Sequence, residues 1–73
     1  MIKQYKIENL DCAHCANKIQ QKVARLDGVR QANLNFMMQK LSVECDDAIA
    51  ARLDDDVIAI VRKSEPDAKV RVL

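Results

Sequence analysis

The spacing of the apolar residues is the feature that most restricts what this 73-residue chain can fold into. Residues 2–8, IKQYKIE, are extended in character, and apolar residues then recur at helical spacing from about Ala13 to Leu26. The segments VRQANLNFMM and KLSVEC alternate apolar and polar residues, with only enough chain between them for a hairpin turn. A second helical pattern and an extended segment, AKVRVL, complete the chain. The predicted order is strand, helix, strand, strand, helix, strand.

The same spacing predicts which residues face the core, because helices and strands repeat with different periods. In the helices these are Ala16, Ile19, Val23, Leu26, Ile49, Leu53, Val57 and Ile60 or Val61. In the later strands they are Ala32, Leu34, Phe36, Leu41, Val43, Cys45, Ala68, Val70 and Val72. Gly28 is expected to close the first helix, Asp46 or Asp47 to cap the second, and Pro66 to end it. The acidic residues 54–56 are predicted to form a solvated helix face.

This order of elements predicts one α+β domain over residues 1–73, a ferredoxin-like βαββαβ sandwich. Two helices would cover one face of a four-stranded antiparallel sheet. Three connections then share one end of the molecule: the loop before the first helix, the hairpin tip at residues 37–39, and the loop at residues 64–67. The connections around Gly28 and around residues 45–47 would lie at the opposite end.

Composition limits the partners that we expect. The net charge of +1 gives no electrostatic case for nucleic acid, and no apolar run approaches the ~20 residues that span a bilayer. RNA binding on an open sheet face would need aromatic stacking residues, but Tyr5 and Phe36 are the only aromatics. An odd count of three cysteines and the lack of a signal peptide favour a reducing cytosol. We therefore expect a cytoplasmic monomer that does not insert into a membrane.

The stretch NLDCAHCANKI, residues 9–19, carries the chemistry of the chain. Cys12 and Cys15 lie where the first strand gives way to the first helix, and a helix N-terminus favours thiolate over thiol. Their spacing lets both sulfurs converge on one ion across a turn. Two thiolates suit the soft or borderline ions Cu(I), Zn(II), Cd(II), Pb(II) and Hg(II).

Asp11 favours a divalent ion among these candidates. Two thiolates and a carboxylate around Cu(I) would leave two net negative charges, whereas the same three anions around a divalent ion leave only one. Oxygen is also an acceptable ligand for the divalent ions. The alternative is that Asp11 simply caps the first helix, a position that aspartate favours.

Five nearby or chemically similar residues have simpler interpretations than metal binding. His14 lies between the cysteines and is expected to face solvent, and Lys18 is expected to be an exposed helix residue. Cys45 continues the inward alternation of its strand and should be a buried thiol far from the loop. Met37 and Met38 lie at the hairpin tip on the metal end, where ordinary packing is expected.

The sequence resembles the heavy-metal-associated domain family over its whole length. The stretch LDCAHCANKIQQKVARLDGV is similar to the family's metal loop, first helix and turn, and ANLNFMMQKLSVE is similar to its hairpin. The DCxxC form resembles the branch of P-type ATPases that exports Zn(II), Cd(II) and Pb(II), which implies Asp11, Cys12 and Cys15 as ligands. The chain departs from the family's common Gly-Met pair, because Asn9 and Leu10 stand there. Residues 64–66 also lack the Tyr or Lys common in copper chaperones.

The resemblance implies a metal-binding module without catalytic residues of its own. It would exchange an ion with a donor or acceptor protein, or with the membrane domain of a parent ATPase, as that protein's cytosolic N-terminal domain. A free-standing carrier of Cu(I) or Hg(II) is the alternative within the same class. A thiol–disulfide oxidoreductase is a different alternative, but a thioredoxin-like framework needs a longer chain, and Pro66 is poorly placed to face the cysteines.

Overall fold

The computed structural model describes all residues from Met1 to Leu73. Its strands are β1 (Ile2–Glu8), β2 (Val29–Asn35), β3 (Lys40–Cys45) and β4 (Lys69–Val72), and its helices are α1 (Ala13–Ala24) and α2 (Ala50–Ser64), with a short 3₁₀ turn at Asp47–Ile49. The strands form one antiparallel sheet in the order β2-β3-β1-β4. The predicted element order and the ferredoxin-like fold are therefore confirmed. No helix is long and apolar enough to cross a bilayer.

The core lies between the two helices and one face of the sheet. Tyr5 and Ile7 of β1 are fully buried; Tyr5 stands opposite Leu41 of β3 and Val72 of β4, and Ile7 stands opposite Val70 of β4. The other buried residues are Leu10, Ala16, Ile19, Val23, Leu34, Leu41, Val43, Cys45, Leu53, Val57, Val61 and Ala68. Every one of the 14 buried residues is apolar, cysteine or tyrosine, so burial of aliphatic surface stabilises the fold.

The opposite face of the sheet is polar. Lys6 stands beside Lys40 and Arg71 across the strands, and Gln4 stands beside Ser42. Tyr5 faces the helices, and Phe36 packs against the core. The open face thus offers none of the aromatic rings on which RNA bases stack.

The connections divide between two ends of the molecule as predicted. At one end the hairpin tip bonds to the loop before α1, because the Gln39 side chain donates to the Leu10 carbonyl oxygen at 2.6 Å. At the other end the Asp46 N–H donates to the Gly28 carbonyl oxygen at 2.9 Å. The cysteine pair lies at the first of these ends, since Cys12 begins α1.

Gly28 has a different role from the predicted helix cap. α1 ends at Ala24 with Arg25 as its C-cap, so the helix is closed before the glycine. Gly28, at φ +89°, instead forms the turn into β2 that the Val29 N–H closes by donating to the Leu26 carbonyl. A Cβ atom here would lie 2.9 Å from Ile49 side-chain atoms, so both the backbone and the packing require glycine.

The predicted aspartate cap of α2 is wrong. Asp46 occupies the N-cap position of the 3₁₀ turn, but neither that turn nor α2 receives a side-chain cap. The Asp46 carboxylate instead accepts a hydrogen bond from Arg30 Nε at 3.1 Å. An arginine on the adjacent strand offers a charged donor, which a carboxylate binds more strongly than a neutral backbone N–H.

Two predictions about side-chain exposure are also wrong. Val72 is 49% exposed although it stands opposite buried Tyr5, because β4 is an edge strand with no neighbour on its outer side. Asp54 is half-buried rather than part of a solvated face. Its carboxylate accepts hydrogen bonds from the Tyr5 hydroxyl at 2.6 Å and from Lys3 Nζ at 2.7 Å.

Candidate metal site

The loop before α1, residues 9–12, is here called the cysteine loop. β1 ends at Glu8, and Asn9 turns the chain with a left-handed φ of 63°. Asparagine is among the residues that adopt this conformation most readily. Leu10 then enters the core with 1% of its surface exposed. The next two residues, Asp11 and Cys12, are therefore placed at the molecular surface directly before the helix.

Cys12 is the N-cap residue of α1. Its backbone is extended, at φ −111° and ψ 113°, and its Sγ accepts a hydrogen bond from the Cys15 N–H at 3.2 Å. N-cap side chains normally offer oxygen to this N–H, and here a sulfur takes that place. Cys15 lies in the first helical turn, and both cysteines are partly exposed free thiols. The two sulfurs thus face the same accessible rim.

The two thiols have opposite pKa shifts because they share a hydrogen bond. A hydrogen bond from the Cys15 thiol lowers the pKa of Cys12, and the backbone N–H groups of Cys15 and His14 add to the effect. The same bond to Cys12 is the main reason that the pKa of Cys15 is raised, to about 11, with partial desolvation and Glu65 contributing. The first thiolate therefore forms at Cys12.

Asp11 is exposed at the rim of the cysteine loop and has no hydrogen-bond or ion-pair partner. It precedes the N-cap residue and does not cap α1, since Cys12 does. No three His, Cys, Asp or Glu side chains lie close enough together in this structure to hold a metal ion. The two cysteines are the predicted ligands that the structure brings together, and the ligand roles of Asp11, Cys12 and Cys15 stay predictions.

Three of the residues given simpler interpretations lie as expected. His14 and Lys18 are exposed on α1. Cys45 is 1% exposed at the opposite end of the sheet, where its N–H donates to the Met1 carbonyl at 2.9 Å. A third sulfur ligand from this chain is therefore not placed near the cysteine loop.

The expected packing of the two methionines is wrong. Met37 is 89% exposed and Met38 is 58% exposed, both at the hairpin tip. The four-residue turn at positions 36–39 projects beyond the strands, so neither side chain reaches the core.

Glu65 is the site residue that sequence reasoning missed. It is the C-cap of α2, and its carboxylate lies close enough to Cys15 to contribute to the raised pKa of that thiol. The sequence contained a signal for it, because the predicted topology places the loop at residues 64–67 at the same end as the cysteines. A second carboxylate thus lies near Cys15, at the same end of the molecule as the cysteine loop.

Residues 4–67 match the family model described as the heavy-metal-associated domain. The cadmium, zinc and cobalt-transporting ATPase of Helicobacter pylori is 34% identical over 65 residues, which cover 89% of this chain and 9% of that protein. The zinc/cadmium/lead-transporting P-type ATPase of Shigella sonnei is 38% identical over 53 residues, covering 73% of this chain and 7% of that protein. The chain thus spans less than a tenth of the length of these relatives.

Solved structures show the same fold. The N-terminal domain of ZntA in its apo form superposes with a TM-score of 0.72 at 29% identity, covering 99% of this chain and 90% of that one. The yeast copper transporter domain CCC2A superposes with a TM-score of 0.78 at 18% identity, covering 99% of this chain and 93% of that one. A domain named for copper transport therefore shares this architecture.

Proposed function

The chain belongs to the heavy-metal-associated domain family, and from that premise we propose that it captures a divalent ion, Zn(II), Cd(II) or Pb(II), and passes it on by ligand exchange. Cys12 and Cys15 provide the two thiolates, and Asp11 provides a third, oxygen ligand. The observation that carries the proposal is the convergence of two hydrogen-bonded sulfurs at an exposed rim.

An incomplete ligand set suits transfer better than storage. Structural zinc sites are closed by four protein ligands, whereas this loop offers two sulfurs and one or two carboxylates. A position left to water or to a partner's ligand allows stepwise exchange without release of the free ion. Both cysteines are accessible, so a donor or acceptor protein can approach the sulfurs directly.

The charge around the sulfurs favours a divalent cargo over Cu(I). Asp11 has no partner within the chain, so its carboxylate is available to an ion. Glu65 adds a second carboxylate next to Cys15. Two thiolates carry one more negative charge than Cu(I) neutralises, and each added carboxylate increases this excess negative charge. A divalent ion leaves a smaller excess.

The setting that fits these features is the cytosolic N-terminal region of a metal-exporting P-type ATPase. The relatives named for cadmium, zinc, cobalt and lead transport support this proposal, and the domain would pass its ion to the membrane part of such a pump. The isolated domain would carry no catalytic activity. A free-standing carrier of Cu(I) or Hg(II) is the second candidate, supported by the similarity of the fold to a copper transporter domain.

The test is a competitive titration of wild type and Asp11→Ala with Zn(II), Cd(II), Pb(II) and Cu(I). We expect the substitution to weaken the three divalent ions by about tenfold or more and to leave Cu(I) binding unchanged, because Cu(I) needs only the sulfurs. Asp11→Asn is the matched control that retains size and removes charge. Equal losses for all four ions, or none, would contradict the role given to Asp11.

A further inference from the structure

Gln39, at the tip of the β2–β3 hairpin, is bonded to the chain around the cysteine loop at two points. Its side-chain Nε2 donates to the Leu10 carbonyl oxygen at 2.6 Å. Its own carbonyl oxygen accepts a hydrogen bond from the Ile7 N–H at 2.8 Å. The first bond joins the hairpin tip to the cysteine loop, 29 residues away in sequence, and the second joins the hairpin tip to the end of β1.

Gln39 has a backbone conformation that glutamine rarely adopts. Its φ is +53°, in the left-handed region that glycine adopts without strain and asparagine adopts more readily than most residues. The turn itself is closed by the Gln39 N–H donating to the Phe36 carbonyl at 3.3 Å, which any non-proline residue can do. Glycine has no side chain to reach Leu10, and asparagine is one methylene shorter. The turn therefore does not explain glutamine, whereas the bond to Leu10 does.

That bond fixes the backbone immediately before Asp11. The side chain of Leu10 is held in the core, and its carbonyl oxygen is held by Gln39. Because the peptide unit is planar, fixing this oxygen also fixes the nitrogen and Cα of Asp11. On the other side, Cys12 is held by α1, since its Sγ accepts from the Cys15 N–H and its carbonyl accepts from the Ala16 N–H at 3.0 Å. Only the side-chain torsions of Asp11 remain free.

We propose that Gln39 is a positioning residue for the carboxylate of Asp11, and this inference rests on the proposed function of Asp11 as the third ligand. Gln39 contacts no ion. It orients the Leu10–Asp11 peptide so that the carboxylate reaches the two sulfurs by side-chain rotation alone, which lowers the ordering cost of divalent binding. Cu(I), which needs only the sulfurs, gains nothing from this arrangement.

The test introduces Gln39→Asn and Gln39→Gly separately into two proteins, wild type and the Asp11→Ala variant, and compares each with its parent. Both substitutions relieve the left-handed backbone but remove the bond to Leu10, and because these effects are similar in size and opposite in sign, the metal-free melting temperature should change little. Affinity for Cd(II), measured by competition with a chromophoric chelator, should fall by about tenfold, a typical effect of losing a supporting hydrogen bond at a metal site. Affinity for Cu(I) should not change. Gln31→Asn, at an exposed position of β2, is the matched control.

In the Asp11→Ala background the effect of Gln39→Asn on Cd(II) affinity should disappear. An equal loss in both backgrounds, an equal loss for Cu(I), or no loss would overturn the inference. If Asp11→Ala weakens Cd(II) binding and Gln39→Asn does not, only the role of Gln39 fails. If Asp11→Ala itself has no effect on Cd(II), the proposed carboxylate ligand fails, and the role of Gln39 falls with it.

Discussion

At the scale of single residues, the two cysteines are chemically unequal although their sequence motif is symmetric. Cys12 occupies the N-cap position and receives hydrogen bonds at its sulfur, whereas Cys15 supplies them from the first turn of α1. The pKa of Cys12 is therefore lowered and that of Cys15 is raised to about 11. The thiolate is the reactive form of cysteine, so position in the helix decides which sulfur reacts first.

We expect metal-free protein treated with limiting iodoacetamide at pH 7.5 to be alkylated first at Cys12. Peptide mass spectrometry would give the order of modification. Cys45 is the internal control, because it is 1% exposed and should react only in denaturant. Faster modification of Cys15 than of Cys12 would show that Cys15 forms the first thiolate.

At the scale of elements, β1 and α2 are joined by a polar contact beneath the sheet. The Asp54 carboxylate on α2 accepts hydrogen bonds from Tyr5 and Lys3, two neighbours on the inner face of β1. The contact lowers the pKa of Asp54, first through Lys3 and then through Tyr5. Burial and the same hydrogen bond raise the pKa of Tyr5. The network fixes where α2 sits along the sheet, which apolar packing alone specifies less strictly.

We expect Asp54→Asn to lower the free energy of unfolding by about 1.5–3 kcal/mol at pH 7, the range for hydrogen bonds to charged groups. Because the folded pKa of Asp54 is depressed, its contribution is complete above the unfolded value of about 3.9 and is lost as the pH falls through the folded value. The difference between variant and wild type should therefore vanish in stronger acid. Urea unfolding at several pH values would measure it.

Asp55→Asn is the matched control, because this neighbouring carboxylate is exposed and makes no ion pair. Its substitution should change the free energy of unfolding by less than about 0.5 kcal/mol at any of these pH values. Equal effects of the two substitutions would mean that the Asp54 network contributes nothing specific to stability.

At the scale of the whole molecule, metal binding and stability are linked. The cysteine loop is held in place by the core through Leu10 and by the hairpin through Gln39, so the site exists only in the folded chain. An ion that binds the folded state more tightly than the unfolded state stabilises the fold by mass action. Both thiols must release their protons to bind it, so the stabilisation must depend on pH.

We expect Cd(II) at 100 times its dissociation constant to raise the free energy of unfolding by about 2.7 kcal/mol at neutral pH. The increase should shrink as the pH falls, because protons compete with the ion for both sulfurs. The variant Cys12→Ser/Cys15→Ser should show no increase at any pH. Thermal unfolding with and without Cd(II) measures both effects, and an increase that does not depend on pH would contradict thiolate binding.

Much of the fold could be predicted because the periodic spacing of apolar residues shows which face of a strand or helix is buried. Strand β1 has the bounds predicted for it, and the alternation of Leu41, Val43 and Cys45 identified the buried face of β3. The four-residue spacing of Leu53, Val57 and Val61 likewise identified the inner face of α2. The prediction for Val72 failed because alternation gives the face of a strand and not whether another element covers it.

The sequence by itself determined the order of elements, the core faces and the placement of Cys12 and Cys15 at a helix start, because each of these depends on residues close together along the chain. Only the tertiary structure decided that Asp54 binds β1, that Glu65 lies beside Cys15 and that Gln39 holds the cysteine loop. In each case the partner lies on another element. Such contacts depend on how helices and strands align in the folded chain, and the local spacing of apolar residues does not predict that alignment.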